Sequence, residues 1–269
     1  MLISVWSNMH GQAGASATAA AVASSLALKT ACKVLVAHNH IERSALEGYF
    51  FRHPADVEKT IQSLSNQGLD ALIRLLMNGR LRPEMVGDYT YSLLKNHRLD
   101  VLAGTAKRER TAAKDPDVML SIINCARGFY DLIILDVHSG TYENSSLRIL
   151  ENSDMIIFCI NQNTFLLDDL AEIKNKYPFL KQKQAAHVVS RYDNGGLVSR
   201  GNIARKYGID KSSLFEFPNS TNFMDALNTG RVFEFIVLSQ KTKDRADKAL
   251  IGSLNRLCDF IVEGSGRVA

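Results

Sequence analysis

The segment that decides the fold spans residues 2–29 and has the sequence LISVWSNMHGQAGASATAAAVASSLALK. It begins with an apolar run at residues 2–6, which predicts a short buried strand. A glycine-containing loop follows at residues 8–16, and an alanine-rich helix then extends to Lys29. A strand, a glycine loop and a helix in this order bind phosphate, because free backbone amides and the positive end of the helix face the anion.

Glycine loops that bind nucleotide phosphates usually end in Gly-Lys-Ser/Thr, where the lysine reaches the outer phosphates and the hydroxyl binds magnesium. This chain has Gly14 and Ser16 on either side of the lysine position, which is occupied by Ala15. The loop therefore predicts a phosphate cradle without its catalytic cation. The competing interpretation is a glycine turn that joins a strand to a helix in an unrelated α/β fold.

The composition is that of an ordinary globular protein of 269 residues, and its formal net charge of +4 is too small to indicate a nucleic-acid partner. No apolar stretch is long enough to span a bilayer, and no signal segment precedes the first strand. The four cysteines are far apart, without metal or disulfide spacing, which favours reduced thiols in a cytoplasmic protein. They are Cys32, Cys125, Cys159 and Cys258.

Apolar runs alternate with segments of helical periodicity along most of the chain. The predicted strands span residues 2–6, 34–37, 99–103, 132–137, 155–160 and 186–190. After the first helix, further helices are predicted at residues 57–64, 69–77, 117–126, 165–176, 199–207, 222–228 and 244–262. This alternation predicts an α/β fold, a three-layer, doubly wound structure with a mostly parallel sheet. We expect residues 1–263 to form a single domain and residues 264–269 to be a flexible tail.

At this point the chain resembles the ParA/MinD group of deviant P-loop ATPases over nearly its whole length. Residues 130–136, YDLIILD, resemble the second acidic motif of that family, and residues 188–193, VVSRYD, resemble the strand whose end frames the base. The resemblance implies ATP or ADP with Mg²⁺ as the cofactor, with Ser16 and Asp136 at the metal and Arg191 at the nucleotide. The other residues that it assigns to nucleotide binding are His10, Gly11, Gln12, Ala13, Gly14, Ala15 and Ala17.

The chain also departs from the family pattern at the positions that carry the chemistry. His10 replaces a signature lysine that reaches a partner's phosphates, and the strand after the first helix ends in His38-Asn39-His40 instead of Asp-x-Asp. Ser190 replaces the base-framing asparagine. Phosphoryl transfer depends on positioning and charge neutralisation, so the loss of two lysines and two carboxylates predicts weak or no hydrolysis. We therefore expect a degenerate member of the family rather than an efficient ATPase.

Four histidines are expected at the carboxyl ends of strands, where the ligand crevice of an open α/β sheet lies. They are His10, His38, His40 and His138. In an extended segment His38 and His40 share one face, so these two side chains could converge. Three interpretations remain open for the group: a transition-metal site, protonated rings that attract phosphate, or hydrogen bonds that hold an empty pocket together.

Within the family, residues 9–14 and 38–40 resemble a TadZ-like subgroup, which helps to place a Tad-type pilus or secretion apparatus at the cell pole. This implies a homodimeric scaffold that meets pilus or secretion proteins and is recruited to the pole or the inner membrane face through them. The alternative function is an ATP-switched partition protein that binds DNA nonspecifically. The basic run at residues 107–110, KRER, is too short and too mixed in charge to favour DNA binding.

Overall fold

Eight strands form one sheet in the computed structural model, which describes residues 1–40, 44–51, 67–105, 115–141 and 144–266. The order across the sheet is 3-4-2-5-1-6-7-8 in chain numbering. Strand 3 runs antiparallel to strand 4, and every other pairing between these strands is parallel, which confirms the predicted mostly parallel α/β sheet. The strands are β1 (Leu2–Trp6), β2 (Val34–His38), β3 (Tyr91–Leu94), β4 (Leu99–Val101), β5 (Leu132–Asp136), β6 (Met155–Ile160), β7 (Gln184–Tyr192) and β8 (Leu214–Pro218).

The first strand lies in the middle of the sheet. β1 pairs with β5 on one side, where Val5 is opposite Asp136, and with β6 on the other, where Ile3 is opposite Met155. All of its residues are buried, as expected of a parallel strand covered on both faces. The strand predicted at residues 132–137 is therefore its neighbour, and the glycine loop leaves the sheet at its centre.

Helices cover both faces of this sheet. Ile3 and Val5 belong to one apolar cluster and Leu2 and Trp6 to the other, because alternate side chains of a strand point to opposite faces. Short 3-10 turns occur at Glu47–Tyr49, Lys95–His97 and Lys211–Ser213. The helices are α1 (Ala15–Lys29), α2 (Gly68–Met77), α3 (Pro83–Asp88), α4 (Pro116–Ala126), α5 (Asn144–Asn152), α6 (Thr164–Lys176), α7 (Phe179–Gln182), α8 (Arg200–Tyr207), α9 (Thr221–Asn228), α10 (Val232–Ser239) and α11 (Arg245–Gly264).

The last helix packs against the rest of the fold. The apolar stripe of α11 is buried, including Leu250, Leu254 and Ile261, and Phe260 contacts Phe215 of β8. Within the described part of the chain, no helix combines the length and the apolar character that a membrane crossing requires. The predicted helix at residues 57–64, the basic run at residues 107–110 and residues 267–269 of the tail lie outside the described residues.

Several elements differ from the sequence prediction. β3 and β8 are strands where none was predicted. The unpredicted helices are α3, α5, α7 and α10. The predicted strand at residues 99–103 ends at Val101, because the carbonyl of Ala103 accepts from Leu69 at the start of α2 instead of continuing the ladder. β7 is longer than predicted, since its ends pair with β6 and β8.

A buried carboxylate joins the antiparallel edge of the sheet to its parallel part. Oδ2 of Asp100 in β4 accepts hydrogen bonds from Tyr130 Oη at 2.5 Å and Thr90 Oγ1 at 3.0 Å, and contacts His97 Nδ1 at 2.6 Å. Burial and the Asp100 carboxylate raise the pKa of Tyr130 well above its ordinary value, so its hydroxyl remains the donor. The Asp100 cluster therefore explains why a polar side chain is tolerated inside β4.

We expect Tyr130→Phe to lower the free energy of unfolding by about 1–3 kcal/mol, because it removes a donor from a buried charged acceptor. Tyr91→Phe is the matched control, since the Tyr91 hydroxyl is buried with no hydrogen-bond partner among the described residues. That change should be neutral or slightly stabilising. Urea unfolding of both variants measures the difference, and equal losses would contradict the role assigned to Asp100.

Candidate functional site

A cavity of about 500 Å³ opens at the carboxyl edge of the sheet, between the glycine loop and the start of α9. The loop and the first turn of α1 line one end, including Gly14 and Ser16. The segment from β8 into α9 lines the other end with largely apolar side chains. The size is within the range of small-ligand sites, and the position is where ligands bind in open α/β sheets.

Side chains at the ends of β6 and β7 donate hydrogen bonds to the backbone carbonyl groups of the glycine loop. Ser190 Oγ donates to the carbonyl of Ala13 at 2.6 Å, while Asn161 and Arg191 donate to the carbonyl of Gln12 at 3.1 and 3.3 Å. In a trans peptide the amide points opposite to the carbonyl, so the Gly14 amide faces away from Ser190. These bonds fix the direction of the loop before any ligand arrives.

The start of α1 presents free backbone amides to the cavity. Gly14 is the N-cap residue in the left-handed conformation, with φ +64°, and Gly11 has φ +72°. The first helical bond runs from the Thr18 amide to the Gly14 carbonyl, and the amides of residues 14–17 have no acceptor among the described residues. Four orphan donors and the helix dipole together form an anion cradle. Ala15 adds no charge to this cradle, and Ser16 lines it with a half-buried hydroxyl.

Asp136 ends β5 beside the cradle and is fully buried. Neither of its carboxylate oxygens has a hydrogen-bond partner among the described residues, and His40 Nε2 lies 3.3 Å from Oδ2. A buried carboxylate without hydrogen bonds is unfavourable, so it needs a cation or a proton donor that the described residues do not supply. This orphaned group fits the magnesium position that the family resemblance assigns to Asp136.

His38 and Glu47 form a buried pair behind the cavity. His38 Nε2 lies 2.7 Å from Glu47 Oε1, and Nδ1 accepts from the amide of His40 at 3.1 Å. The proton of the neutral ring is therefore on Nε2. Burial acts against the charged form of His38, but the Glu47 carboxylate outweighs it and raises the pKa of His38 above 6.5. Both ring nitrogens of His38 are therefore engaged in hydrogen bonds within the protein and are not available to a ligand.

Glu47 also makes a second hydrogen bond within the protein. The same Oε1 atom accepts from the amide of Gly104 at 2.9 Å. Burial alone would raise the pKa of Glu47, but the attraction of His38, its hydrogen bond and the Gly104 amide lower it from 4.5 to about 2. The sequence did not predict a role for Glu47, because nothing in its local sequence shows that it meets the end of β2.

The four histidine rings lie next to one another in a row of ring contacts. His10 stacks on His138 with centroids 5.5 Å apart, His138 meets His40 edge-on at 5.3 Å, and His40 meets His38 at 5.4 Å. Asn39 Oδ1 accepts from the His138 amide at 2.7 Å, which ties the two strand ends together. Within the described residues, no group of three or more histidine, cysteine or acidic side chains could hold a metal ion. A metal site built from the histidines alone is therefore not formed.

The far end of the cavity combines β8, which was not predicted, with α9, which the sequence predicted at residues 222–228. Pro218 ends β8, and Phe223 and Leu227 of α9 line the wall. Arg191 lies at a bulge in β7, where its φ of +51° places a non-glycine residue in the left-handed region. Bulges of this kind redirect the chain beside functional sites. In the sequence, the only local feature that marked this bend was the polar run after the β7 strand.

Comparison with solved structures identifies the fold. The chain matches the ParA family ATPase from Chlorobium tepidum TLS with a TM-score of 0.74 and 17% identity, covering 94% of this chain and 98% of that chain. It matches the septum site-determining protein MinD complexed with Mg-ADP from Pyrococcus horikoshii OT3 with a TM-score of 0.70, 15% identity and coverages of 98% and 97%. A chain of the MinC:MinD cell division protein complex from Aquifex aeolicus matches with a TM-score of 0.68, 18% identity and coverages of 96% and 95%.

At these identities the similarity establishes the architecture. The chain has the α/β fold of the ParA/MinD P-loop ATPases, as the motifs predicted. No protein-family model matches the sequence, and no curated protein matches it. The assignments of individual residues to nucleotide binding, from His10 to Ala17 and at Asp136 and Arg191, therefore stay predictions.

We expect Gly104→Ala to destabilise the protein by about 1–3 kcal/mol, as overpacking does in a rigid site. A Cβ at position 104 would lie 2.5 Å from Cε1 and 2.6 Å from Nε2 of His38, whose ring is held by Glu47. Gly48→Ala is the matched control, because a Cβ there meets nothing within 4 Å. Urea unfolding should separate the two variants, and an equally stable Gly104→Ala protein would show that the ring is free to move.

The buried pair also predicts a pH dependence of stability. Because the pKa of Glu47 is lowered from 4.5 to about 2, its stabilising effect is present above pH 4.5 and is lost as the pH falls toward 2. Glu47→Gln should therefore cost a few kcal/mol at neutral pH, since one pKa unit corresponds to about 1.4 kcal/mol, and progressively less below pH 4.5. Chemical unfolding at pH 7, 5 and 3 measures this difference, and a constant difference would contradict it.

Proposed function

We propose that this chain is a ParA/MinD-like protein that binds a nucleotide with weak or no hydrolysis and acts by association. In this proposal it is a localisation or assembly scaffold for a Tad-type pilus or secretion system. It works in the cytoplasm and is recruited through its partners to the cell pole or the inner membrane face. The pilus assignment is supported by the TadZ-like residues 9–14 and 38–40.

One observation carries the first part of the proposal. The amides of residues 14–17 are free at the start of α1, while the lysine position beside them is Ala15. Backbone donors of this kind hold phosphate without any side chain. A nucleotide with Mg²⁺ would be held by this cradle, Ser16 and Asp136, with its base toward Arg191 and Phe223. The bound cation would neutralise phosphate charge.

The same site lacks the groups that would make hydrolysis fast. Ala15 and His10 supply no permanent positive charge to the outer phosphates. His38 is bound to Glu47, and His40 is an imidazole where the family has a carboxylate to orient water. Since phosphoryl transfer needs charge neutralisation and an oriented nucleophile, binding can persist when turnover is lost.

Association is supported by apolar side chains next to the loop. Phe165 is 68% exposed and Leu197 is 95% exposed. Gln162 precedes Phe165 by three residues and donates to the carbonyls of Asp193 and Val198 on either side of Leu197, while its neighbour Asn161 donates to the loop carbonyl of Gln12. These bonds hold both apolar side chains on the loop side of the protein. We propose that a second copy of the chain covers this surface in a homodimer.

The alternative function is an ATP-switched partition protein that binds DNA nonspecifically, which is supported by the fold shared with the ParA family ATPase. Such binding would depend on lysine and arginine contacts to phosphates and would weaken steeply with salt. Retention of the purified protein on nonspecific DNA at low salt, lost at higher salt and dependent on ATP, would favour this alternative. Salt-independent failure to bind DNA would favour the scaffold.

We expect the purified protein to bind ADP or ATP in calorimetry with negligible steady turnover. Ala15→Lys should tighten nucleotide binding by supplying a charge at the outer phosphates, yet it should not restore turnover, because no carboxylate at position 38 or 40 orients the water. Ala31→Lys adds the same charge at an exposed position beyond the C-terminal end of α1, away from the loop, and is the matched control. Family-typical ATP hydrolysis by the unmodified protein, abolished by Asp136→Ala, would overturn the proposal.

A further inference from the structure

Two buried polar groups at the site lie close together without forming a hydrogen bond to each other. His40 is 8% exposed and Asp136 is 0% exposed. The Nε2 atom of His40 and both carboxylate oxygens of Asp136 have no hydrogen-bond partner among the described residues. Buried polar atoms are nearly always paired in folded proteins, so these atoms mark a candidate ligand position.

The distance between the two groups indicates which kind of ligand they could share. Nε2 of His40 lies 3.3 Å from Oδ2 of Asp136. A charge-assisted hydrogen bond between such groups would be about 2.7–2.9 Å long. Two metal–ligand bonds of about 2.1 Å to the same atoms would instead meet at an angle of about 100–105°. That angle lies between those of octahedral and tetrahedral coordination, so the pair is spaced as two neighbouring ligands of one ion.

The ligand types favour a particular class of ion. Magnesium prefers oxygen ligands in an octahedral shell, whereas imidazole nitrogen suits zinc, cobalt and related transition ions. We propose that His40 Nε2 and Asp136 together bind a divalent transition-metal ion such as Zn²⁺ or Co²⁺, in place of Mg²⁺, when a phosphate group occupies the glycine loop. The substitution of a histidine for the family carboxylate would then change the metal rather than abolish it.

The chain supplies too few ligands to hold such an ion alone. The described residues contain no group of three histidine, cysteine or acidic side chains that could do so. The remaining positions must be filled by phosphate oxygens, water and the Ser16 hydroxyl, which lines the same cavity as His40. Metal binding is therefore coupled to binding of the anion, and in its nucleotide form the inference rests on the proposed function.

The surrounding bonds hold the His40 ligand in place. The His40 amide donates to His38 Nδ1, and Glu47 fixes the other side of the His38 ring. The ring of His138 covers His40 at 5.3 Å between centroids. These contacts fix the backbone of His40 and one side of its ring. The buried His38–Glu47 pair therefore also helps to place the His40 backbone.

Co²⁺ is the probe for this site, because a directly bound imidazole gives an exchangeable, hyperfine-shifted proton signal in NMR. The protein is titrated with CoCl₂ and with MgCl₂ in the presence of saturating ADP, and in parallel with inorganic pyrophosphate. His40→Asp restores the carboxylate of the family, and Asp136→Asn removes the second ligand. His97→Gln is the control, because His97 precedes β4 and so lies at the opposite edge of the sheet. Circular dichroism checks that each variant is folded.

We expect the shifted signal with Co²⁺ and anion in the unmodified protein and in His97→Gln, and its loss in His40→Asp. That variant should also shift the preference from Co²⁺ toward Mg²⁺ by on the order of tenfold or more. ADP binding that requires Mg²⁺ and gives no signal with Co²⁺ would overturn the inference and leave nucleotide binding standing. The signal with pyrophosphate but without ADP binding would support the metal site and contradict the nucleotide proposal. No signal with either anion would overturn the metal site.

Discussion

The buried carboxylate of Asp136 is the constraint on which the site depends. It ends β5, between β1 and β2, and its backbone pairs with Val5 on one side and His38 on the other. Because the strands are parallel, the segments that follow all three emerge at the same edge of the sheet. The glycine loop, the His40 ring and the His138 segment therefore surround a charge that no described side chain satisfies by a hydrogen bond. A ligand that supplies a positive charge there would stabilise the fold and the site together.

The replacements at this site act as a set. Where the family resemblance places lysines the chain has Ala15 and His10, and where it places carboxylates the chain has His38 and His40, so both signs of charge are reduced together. Of these, His38 has gained a new partner, Glu47, which keeps its ring buried and bonded. Removing charges of both signs together limits the cost of an empty pocket, and it leaves Asp136 as a buried carboxylate without a hydrogen-bond partner among the described residues. This balance is consistent with a protein whose role depends on binding and association more than on turnover.

Much of the fold could be predicted because its strands are continuous apolar runs. Residues 132–137 and 155–160 can only be buried on both faces, which requires a parallel sheet under helices. The loop around Gly14 was equally clear, since its glycines precede an alanine-rich helix. The misses were segments whose state depends on distant neighbours. β8 forms because β7 offers an edge to pair with, and α10 is a largely apolar run, interrupted by Glu234, whose local pattern suits a strand as well as a helix.

By itself the sequence determined the order of strand, glycine loop and helix, with Ala15 between Gly14 and Ser16. Through the family resemblance it also predicted a missing lysine at Ala15, a metal-binding acid at Asp136 and the replacement of two carboxylates by histidines. These features depend on residue types at short spacings along the chain. Such residues stay close together in the fold, because the local strand, loop and helix geometry fixes their positions. Only the tertiary structure decided that Glu47 meets His38, that Gly104 must lack a side chain, and that His40 faces Asp136 at 3.3 Å. Those pairings join residues from different crossovers, so they exist only once the strands have been placed side by side in the sheet.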